Sequence, residues 1–513
     1  MNEDNKRIAK NTLTLYARFF INLAIGIFTG RVILDALGES DYGVYNVVGG
    51  FVGLFSLISG PVSGAISRFV VFALGKGDID QAKKIFGTSI LVMYAISVII
   101  VIAAESFGIW FIDNKMVLPT DRLWAAHWVF QISLFDMVVS LTMAPYIASF
   151  VSHEKFGVDT ILATIATFLR LGVCFAIMYT SSDKLILYAT LLLCISIAQR
   201  MAYRYYCKRH FEECHYKLKF HKDTFKGIFS FAGWNAIGSS ATLLRSQGGN
   251  ILLNLFGGPA VNAAAGVCGT IVGLVISFSG NFTTAASPQI TKSYAAEDHN
   301  HLKSLLIRMP KFGFFILLFF TLPVLLNADW LLNIWLVKVP DHTVNFIRLV
   351  LIYQLIEVLS RPLIDAKNAT GNIRNYQIVV GGILLLALPI SYIALKNGAP
   401  VEAIYVVNII ISFVALWARL YMLRGDIVNF SSMLFIRKVV LRVFAVAIIS
   451  AVLPVMLYLV IDYGFVRVLT TSLVSVITTL LSVLYIGCVD TERDFFVDKI
   501  KSVFNKVFRV KNA

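Results

Sequence analysis

Apolar runs of about 20 residues recur along the whole chain, with short polar segments between them. A helix of that length crosses the ~30 Å hydrocarbon core of a bilayer. The pattern therefore predicts an all-α, polytopic membrane protein with about fourteen spans. These predicted spans 1–14 cover residues 12–34, 42–67, 85–109, 123–151, 158–179, 185–206, 228–255, 262–287, 312–335, 344–366, 376–395, 403–423, 439–461 and 467–488.

Composition supports a membrane protein and excludes a soluble one. Of the 513 residues, 58% are hydrophobic and only 15% are charged, and the mean hydropathy is +0.76. No soluble domain has this balance. The six cysteines fall mostly in apolar runs or in loops predicted to be cytoplasmic, so they do not indicate a disulfide framework.

The basic residues behind the net charge of +15 lie mainly in the loops on one side of the predicted spans. With fourteen spans, the loops on the N-terminal side hold 29 basic residues and the opposite loops hold six. The positive-inside rule then places both termini in the cytoplasm. This distribution accounts for the charge without a nucleic-acid partner, and no nucleic-acid role is expected.

A weak internal repeat suggests how the spans are organised. An ungapped offset of 219 residues places residues 31–50 on 250–269 and residues 75–84 on 294–303. Such an offset covers six spans and preserves orientation, which is the signature of parallel repeats. The predicted organisation is an N-terminal bundle (1–206), a cytoplasmic loop (207–227), a C-terminal bundle (228–425), two added spans (426–488) and an amphipathic cytoplasmic tail (489–513).

Polar residues form a stripe along the first span of each half. Arg18, Asn22 and Thr29 share one narrow sector of span 1, being four and seven residues apart. The corresponding stripe of span 7 consists of Asn235, Gly238, Thr242, Arg245 and Gly249. If the halves are related by a two-fold axis, two guanidinium groups could converge on one phosphate or diphosphate, which their planar fork suits. The remaining polar members would line the cavity.

Arg31 and Arg68 lie at the rims of apolar stretches and are further candidates for binding a diphosphate. A charge within hydrocarbon costs at least ~2.5–3.5 kcal/mol, so such residues normally face a protein interior or a watery cavity. The alternative for each arginine is that it bonds backbone carbonyls or extends its head group to the interface.

Two sets of acidic and basic residues are candidates for structural pairs or for ion coupling. Glu357 and Arg361 are four residues apart on span 10, with Asp365 one turn further on. Asp136 and Arg170 lie at mid-depth in the adjacent spans 4 and 5 and are expected to form a second pair. Buried pairs usually serve structure, while intramembrane acids can also relay protons.

Small residues recur at helical spacing in spans 2 and 8. They favour close helix packing, with a smooth surface for sliding as the alternative. No nucleotide-binding GxxxxGK[ST] motif and no nucleophile–base arrangement occurs, and the predicted outer loops are too short for a catalytic domain. No enzyme activity and no metal site are expected.

The stretch RVILDALGESDYGVY (residues 31–45) carries the pattern LG..DYG.Y. It resembles the turn between spans 1 and 2 of polysaccharide transporters, the Wzx-type oligosaccharide flippases of the MOP superfamily. The resemblance covers nearly the whole chain in layout and about 15 residues in motif.

That resemblance implies a flippase for undecaprenyl-diphosphate-linked oligosaccharide units in the bacterial inner membrane, working by alternating access for O-antigen, capsule or exopolysaccharide synthesis. It implies that Arg18 and Arg245 grip the diphosphate, and that an ion gradient (H⁺ or Na⁺) or the membrane potential drives transport. Membrane lipids surround the protein, a polysaccharide polymerase or chain-length regulator is a candidate partner, and a monomer is expected.

Two other transporters remain as alternatives. A MATE-type multidrug/cation antiporter would be expected to carry acids in spans 1, 2, 7 or 8, and none of these four spans contains Asp or Glu. A lipid II flippase would handle nearly the same diphosphate and ranks lower on the motif alone.

Overall fold

In the computed structural model, residues 56–114, 122–215, 219–336, 339–427, 430–490 and 492–494 are described, with residues 11–22 and scattered positions between 24 and 52. Nearly all of them are helical. The helices are 11–22 (α1), Ser56–Gly75 (α2), Ile79–Asn114 (α3), Leu123–Ser152 (α4), Phe156–Met178 (α5), Lys184–His210 (α6), Lys222–Ala295 (α7), His299–Trp335 (α8), Thr343–Thr370 (α9), Arg374–Leu385 (α10), Ala387–Lys396 (α11), Ala403–Leu423 (α12), Ser432–Phe435 (α13), Leu441–Val460 (α14) and Phe465–Ser482 (α15).

Eleven helices within this described part of the chain are long and apolar enough to cross a membrane, so the protein is a multi-pass membrane protein. The prediction of an all-helical polytopic fold is confirmed. Eleven spans in the described part of the chain are consistent with the fourteen that the sequence predicts. Predicted spans 7 and 8 both fall in α7, which is interrupted at Gly258. A φ of 74° at this residue is a conformation that glycine adopts without penalty.

Other helix ends follow from local chemistry. Asp183 caps α6 by accepting hydrogen bonds from the backbone N–H groups of Leu185 and Ile186, each at 3.1 Å. Asp298 caps α8 through the N–H of His301 at 2.9 Å. Gly371 ends α9 in the left-handed conformation, with φ of 77°.

The chain divides into two compact units, an N-terminal unit (Arg7–Ala236) and a C-terminal unit (Ile237–Ala513). The N-terminal unit has a core in which Val129 and Phe130 of α4 pack with Leu185 of α6. Lipid is as apolar as these side chains, so van der Waals packing rather than hydrophobic transfer holds such helices together.

The C-terminal unit has its own core, where Val380 and Leu384 of α10 pack with Ile411 and Ala415 of α12. The predicted added segment, 426–488, also belongs to this unit. The division falls within α7, after the predicted loop 207–227 and not inside it.

Polar contacts join the last helices to α8. Asn327 of α8 donates to Thr471 of α15 at 3.0 Å, and Arg467 of α15 pairs with Asp329 at 3.1 Å. These contacts explain why the last two spans are part of the C-terminal unit. Of the predicted amphipathic tail, only residues 489–490 and 492–494 are described.

Candidate functional site

Three helices of the C-terminal unit bring charged side chains together inside the protein. Arg245 of α7 lies 3.6 Å from Glu357 of α9, measured from Nη1 to Oε1. Arg419 of α12 lies 3.7 Å from the other carboxylate oxygen. The side chains of Arg245, Glu357 and Arg419 are 8%, 18% and 5% exposed. We call these three residues the arginine–glutamate cluster.

Neutral side chains supply much of the hydrogen bonding in this cluster. Arg245 donates to the hydroxyl of Tyr353 and, at 3.4 Å, to that of Ser412. Ser412 in turn donates to Glu357 at 2.8 Å. Arg419 donates to Ser360 at 2.9 Å, and the hydroxyl of Tyr376 is within its reach.

The cluster has two guanidinium groups and one carboxylate, so it carries one excess positive charge. Nε of Arg419 is buried and has no hydrogen-bond partner among the described residues. Buried charges are normally paired, because leaving one unpaired costs several kcal/mol. An anionic group is the chemical species that would balance this site.

Glu357 does not form the predicted pair with Arg361. In the described part of the chain its salt bridges are to Arg245 and Arg419, and Arg361 is exposed. Helix contacts explain the difference, because α7 and α12 pack on the face of α9 that carries Glu357. Asp365 interacts with Ser287 of α7 through a side-chain hydrogen bond and with Arg361 through charge.

In the N-terminal unit, Arg18 of α1 contacts an acid that the sequence pattern did not reveal. Its Nη1 lies 2.6 Å from Oδ2 of Asp159, in the first turn of α5. Tyr203 of α6 donates a hydrogen bond to the other oxygen of Asp159. The side chains of Arg18 and Asp159 are 32% and 17% exposed. One cation and one anion balance each other here.

The polar residues predicted to line a cavity have varied settings. Asn22 accepts a hydrogen bond from Thr167 of α5 at 3.2 Å, while Thr29 bonds the carbonyl of Ile25, one turn back. Thr242 is exposed and likewise donates to a carbonyl of its own helix. Asn235 is half-buried and lies 3.5 Å from the Cβ position of Gly64.

Asp136 and Arg170 do not form the predicted pair, since no ion pair joins them although both are among the described residues. Arg170 is exposed, and one oxygen of Asp136 is buried with no hydrogen-bond partner in the part of the chain that the structure describes. The reason is packing, because α4 has its main interfaces with α2, α3 and α6 and touches α5 little.

Arg68 lies against aromatic rings. Its guanidinium carbon is 4.6 Å, 5.1 Å and 5.2 Å from the ring centres of Phe69, Phe72 and Phe231. Cation–π contacts of this kind stabilise an arginine in an apolar setting. Arg31 lies outside the described residues.

The described residues of the LG..DYG.Y pattern hold the N-terminal unit together. Asp41 accepts hydrogen bonds from Arg122, with Nε to Oδ1 at 2.6 Å, and Arg122 also donates to Asp183 at 2.8 Å. Hydrogen bonding to Asp41 raises the pKa of the Arg122 guanidinium. The ring of Tyr45 packs edge-on against Tyr188 at 5.1 Å. Gly38, Tyr42 and Gly43 lie outside the described residues.

The described glycines in the small-residue stripes of spans 2 and 8 have open surroundings. A Cβ at Gly60, Gly266 or Gly273 would meet no described atom within 4 Å, so these positions do not make the close helix contacts that were predicted. At Gly238 a Cβ would lie 1.9 Å from Oε1 of Gln377. Gly238, which the sequence placed on the polar stripe beside Arg245, is therefore a position of close helix packing within the C-terminal unit.

The chain is a multi-pass helical membrane protein with two compact units. Comparison with solved structures identifies its fold. The chain shares its fold with a multidrug resistance MATE family transporter of the MOP superfamily in an outward-facing conformation (TM-score 0.71, 14% identity, 83% of this chain and 96% of that one).

Two other solved structures have the same fold. The MATE transporter ClbM in complex with Rb⁺ gives a TM-score of 0.69 at 14% identity, over 84% of this chain and 97% of that one. A MOP superfamily transporter from Pyrococcus furiosus gives 0.66 at 13% identity, over 82% and 96%. No protein-family model and no curated protein matches the sequence.

Proposed function

We propose that this protein is a flippase for undecaprenyl-diphosphate-linked oligosaccharides. It would move the head group of a lipid-linked repeat unit across the bacterial inner membrane by alternating access, with both termini in the cytoplasm. The single observation that carries this proposal is the excess positive charge of the buried arginine–glutamate cluster, because a diphosphate supplies the negative charge that the cluster lacks.

Arg245 is the residue we assign to the substrate diphosphate. It is held by Tyr353, Ser412 and Glu357, and Glu357 also lies beside Arg419. Arg18 is a weaker candidate than the sequence suggested, because Asp159 already neutralises it. The sugars would occupy a hydrated lumen and the polyprenyl tail would remain in lipid, while an ion gradient (H⁺ or Na⁺) or the membrane potential supplies the energy.

A MATE-type cation antiporter is the second candidate, favoured by the fold. One structural neighbour is a multidrug resistance transporter and another binds Rb⁺. A third is a MOP superfamily transporter for which reversed polarity of the binding pocket suggests a different function. The absence of Asp and Glu from spans 1, 2, 7 and 8 favours an anionic passenger here.

Lipid analysis of a strain lacking the gene tests this proposal. We expect a diphosphate-linked oligosaccharide to accumulate facing the cytoplasm and surface polysaccharide to be lost, with recovery on expression of the wild-type protein. Normal polysaccharide together with new sensitivity to cationic drugs would favour the antiporter. Accumulation of lipid II with cell-wall defects would identify the peptidoglycan precursor as the cargo.

A further inference from the structure

Glu357 lies almost midway between two arginines that come from different helices. The distances, 3.6 Å to Arg245 and 3.7 Å to Arg419, are ion-pair distances but longer than good hydrogen bonds. The carboxylate instead accepts a hydrogen bond from Ser412 at 2.8 Å. It is therefore shared between the two guanidinium groups and tightly bound to neither.

Both arginines have neutral partners that would hold them without the carboxylate. Tyr353 accepts from Arg245, and its ring centre is 5.1 Å from the guanidinium carbon. Ser360 accepts from Arg419 at 2.9 Å. Each guanidinium group can thus lose its contact with Glu357 and still keep a hydrogen bond.

An isolated buried pair would resist separation, because removing the cation leaves an unpaired carboxylate in a low-dielectric site. Here the second arginine removes that obstacle. A small shift of Glu357 brings it within hydrogen-bonding distance of Arg419, which has a buried, unpartnered Nε. When Arg245 leaves, the remainder is a neutral pair on α9 and α12.

We propose that Glu357 is an internal competitor for Arg245. It holds Arg245 while the site is empty and transfers to Arg419 when a phosphate group takes Arg245. This inference rests on the proposed function for the identity of the ligand, a phosphate or diphosphate anion. Arg419 is then a positioning residue, since it accepts the displaced carboxylate and does not contact the ligand.

We call the transfer of Glu357 from Arg245 to Arg419 the exchange. Ligand affinity measured on the full-length purified protein tests it, with inorganic pyrophosphate as one probe and undecaprenyl diphosphate in nanodiscs as the other. We expect Glu357→Gln to bind the anion about tenfold more tightly, because the competitor is gone. Arg419→Met should bind about tenfold more weakly, because Glu357 then stays on Arg245.

The double variant Glu357→Gln with Arg419→Met separates exchange from a merely structural role. Exchange predicts that the double variant binds more tightly than Arg419→Met alone, since no carboxylate is left to compete. A structural role predicts binding no better than either single variant. Glu402→Gln makes the same change at a carboxylate of the C-terminal unit that bonds His342 and Asn345 instead of the cluster. It is the matched control and should change affinity less than about twofold.

Weaker or unchanged binding by Glu357→Gln would overturn the inference, even if Arg419→Met does not fold. A double variant that binds no more tightly than Arg419→Met would also overturn it, as would wild-type protein that binds neither probe. If the predicted changes in affinity occur with undecaprenyl diphosphate alone, they would support the exchange and identify the lipid head group as the ligand. The predicted shifts with pyrophosphate alone would support exchange on a free anion, and the deletion strain would decide the flippase proposal separately.

Discussion

Arg18 and Arg245 stand on the first span of their respective halves, and each reaches a carboxylate on another helix of its own unit. Arg18 lies 2.6 Å from Asp159, and Tyr203 donates a hydrogen bond to the other oxygen of that carboxylate. Arg245 meets Glu357 at 3.6 Å and shares it with Arg419. The first group is neutral and closely bonded, whereas the second has an excess positive charge and longer distances.

This difference separates two uses of an intramembrane arginine. A guanidinium that is neutralised at hydrogen-bond distance joins helices, because its release would leave a carboxylate without its cation. A guanidinium that shares its carboxylate with a second cation can be released to a ligand. The chemistry around each arginine, more than its position in the repeat, determines which use applies.

The largest expected effect comes from removing Arg245. We expect Arg245→Ala to lower transport by about 100-fold or more, comparable to the loss when one preorganised donor to a developing negative charge is removed from an enzyme. Arg245→Lys should rescue only partly, because lysine lacks the planar fork. Surface polysaccharide in a complemented deletion strain, at equal protein levels, is the measurement, and full activity of Arg245→Ala would refute the assignment.

Removing Arg18 should act on stability instead. Arg18→Ala leaves Asp159 without its cation and should destabilise the protein by about 1–3 kcal/mol, reduced by the partial exposure of both side chains. Adding Asp159→Asn should restore the melting temperature and transport. If the double variant stays inactive although it is stable, Arg18 also serves the substrate and the contrast with Arg245 disappears.

Gly238→Ala tests the close packing beside Arg245. The new Cβ would overlap the amide of Gln377, and overpacking of this kind costs about 1–3 kcal/mol, near the lower end here because the obstructing atom ends a flexible side chain. Gly266→Ala, on the other side of the break at Gly258 in α7, is the matched control, because its Cβ meets no described atom within 4 Å. Thermal unfolding of both variants in detergent is the measurement. Equal melting temperatures would contradict the close approach.

The smallest expected effect is that of Tyr203→Phe, which removes the hydroxyl that donates to Asp159. A hydrogen bond to a charged group contributes about 1.5–3 kcal/mol when the charge has no other partner, but Arg18 stays on Asp159 in this variant and limits the loss to about 1 kcal/mol or less. We expect a melting temperature lower by a few degrees and unchanged transport. A transport defect without a loss of stability would give the N-terminal group a role in the cycle.

Helices were predictable from this sequence because each span is a local run of apolar residues, and Gly258 separates spans 7 and 8 where the pattern placed a turn. Arg245 was also identifiable, as a charge near the middle of a span. The partners were not, since Asp159 and Arg419 lie 141 and 174 residues away in the chain from the arginines with which they share a site. Local spacing suggested Arg361 for Glu357, but the faces of packed helices determine such pairs.

Arg419 left a signal that was easy to misinterpret. It is charged and lies within a span, but only four residues before the end of α12, where an arginine normally extends to the membrane interface. Its burial depends on how α12 packs against α9, and no short-range pattern encodes that contact.

Two side-chain contacts join residues before the connection between α3 and α4 to residues after it. Arg122 donates to Asp41 at 2.6 Å, and Nε2 of His127 lies 2.8 Å from Asp113. A chain cut once between residues 114 and 122 should therefore remain assembled, with the two fragments purifying together through the tag on either one. Separation of the fragments under mild detergent would contradict this expectation. A break in that connection offers a place to insert a label or an affinity tag without dividing the protein.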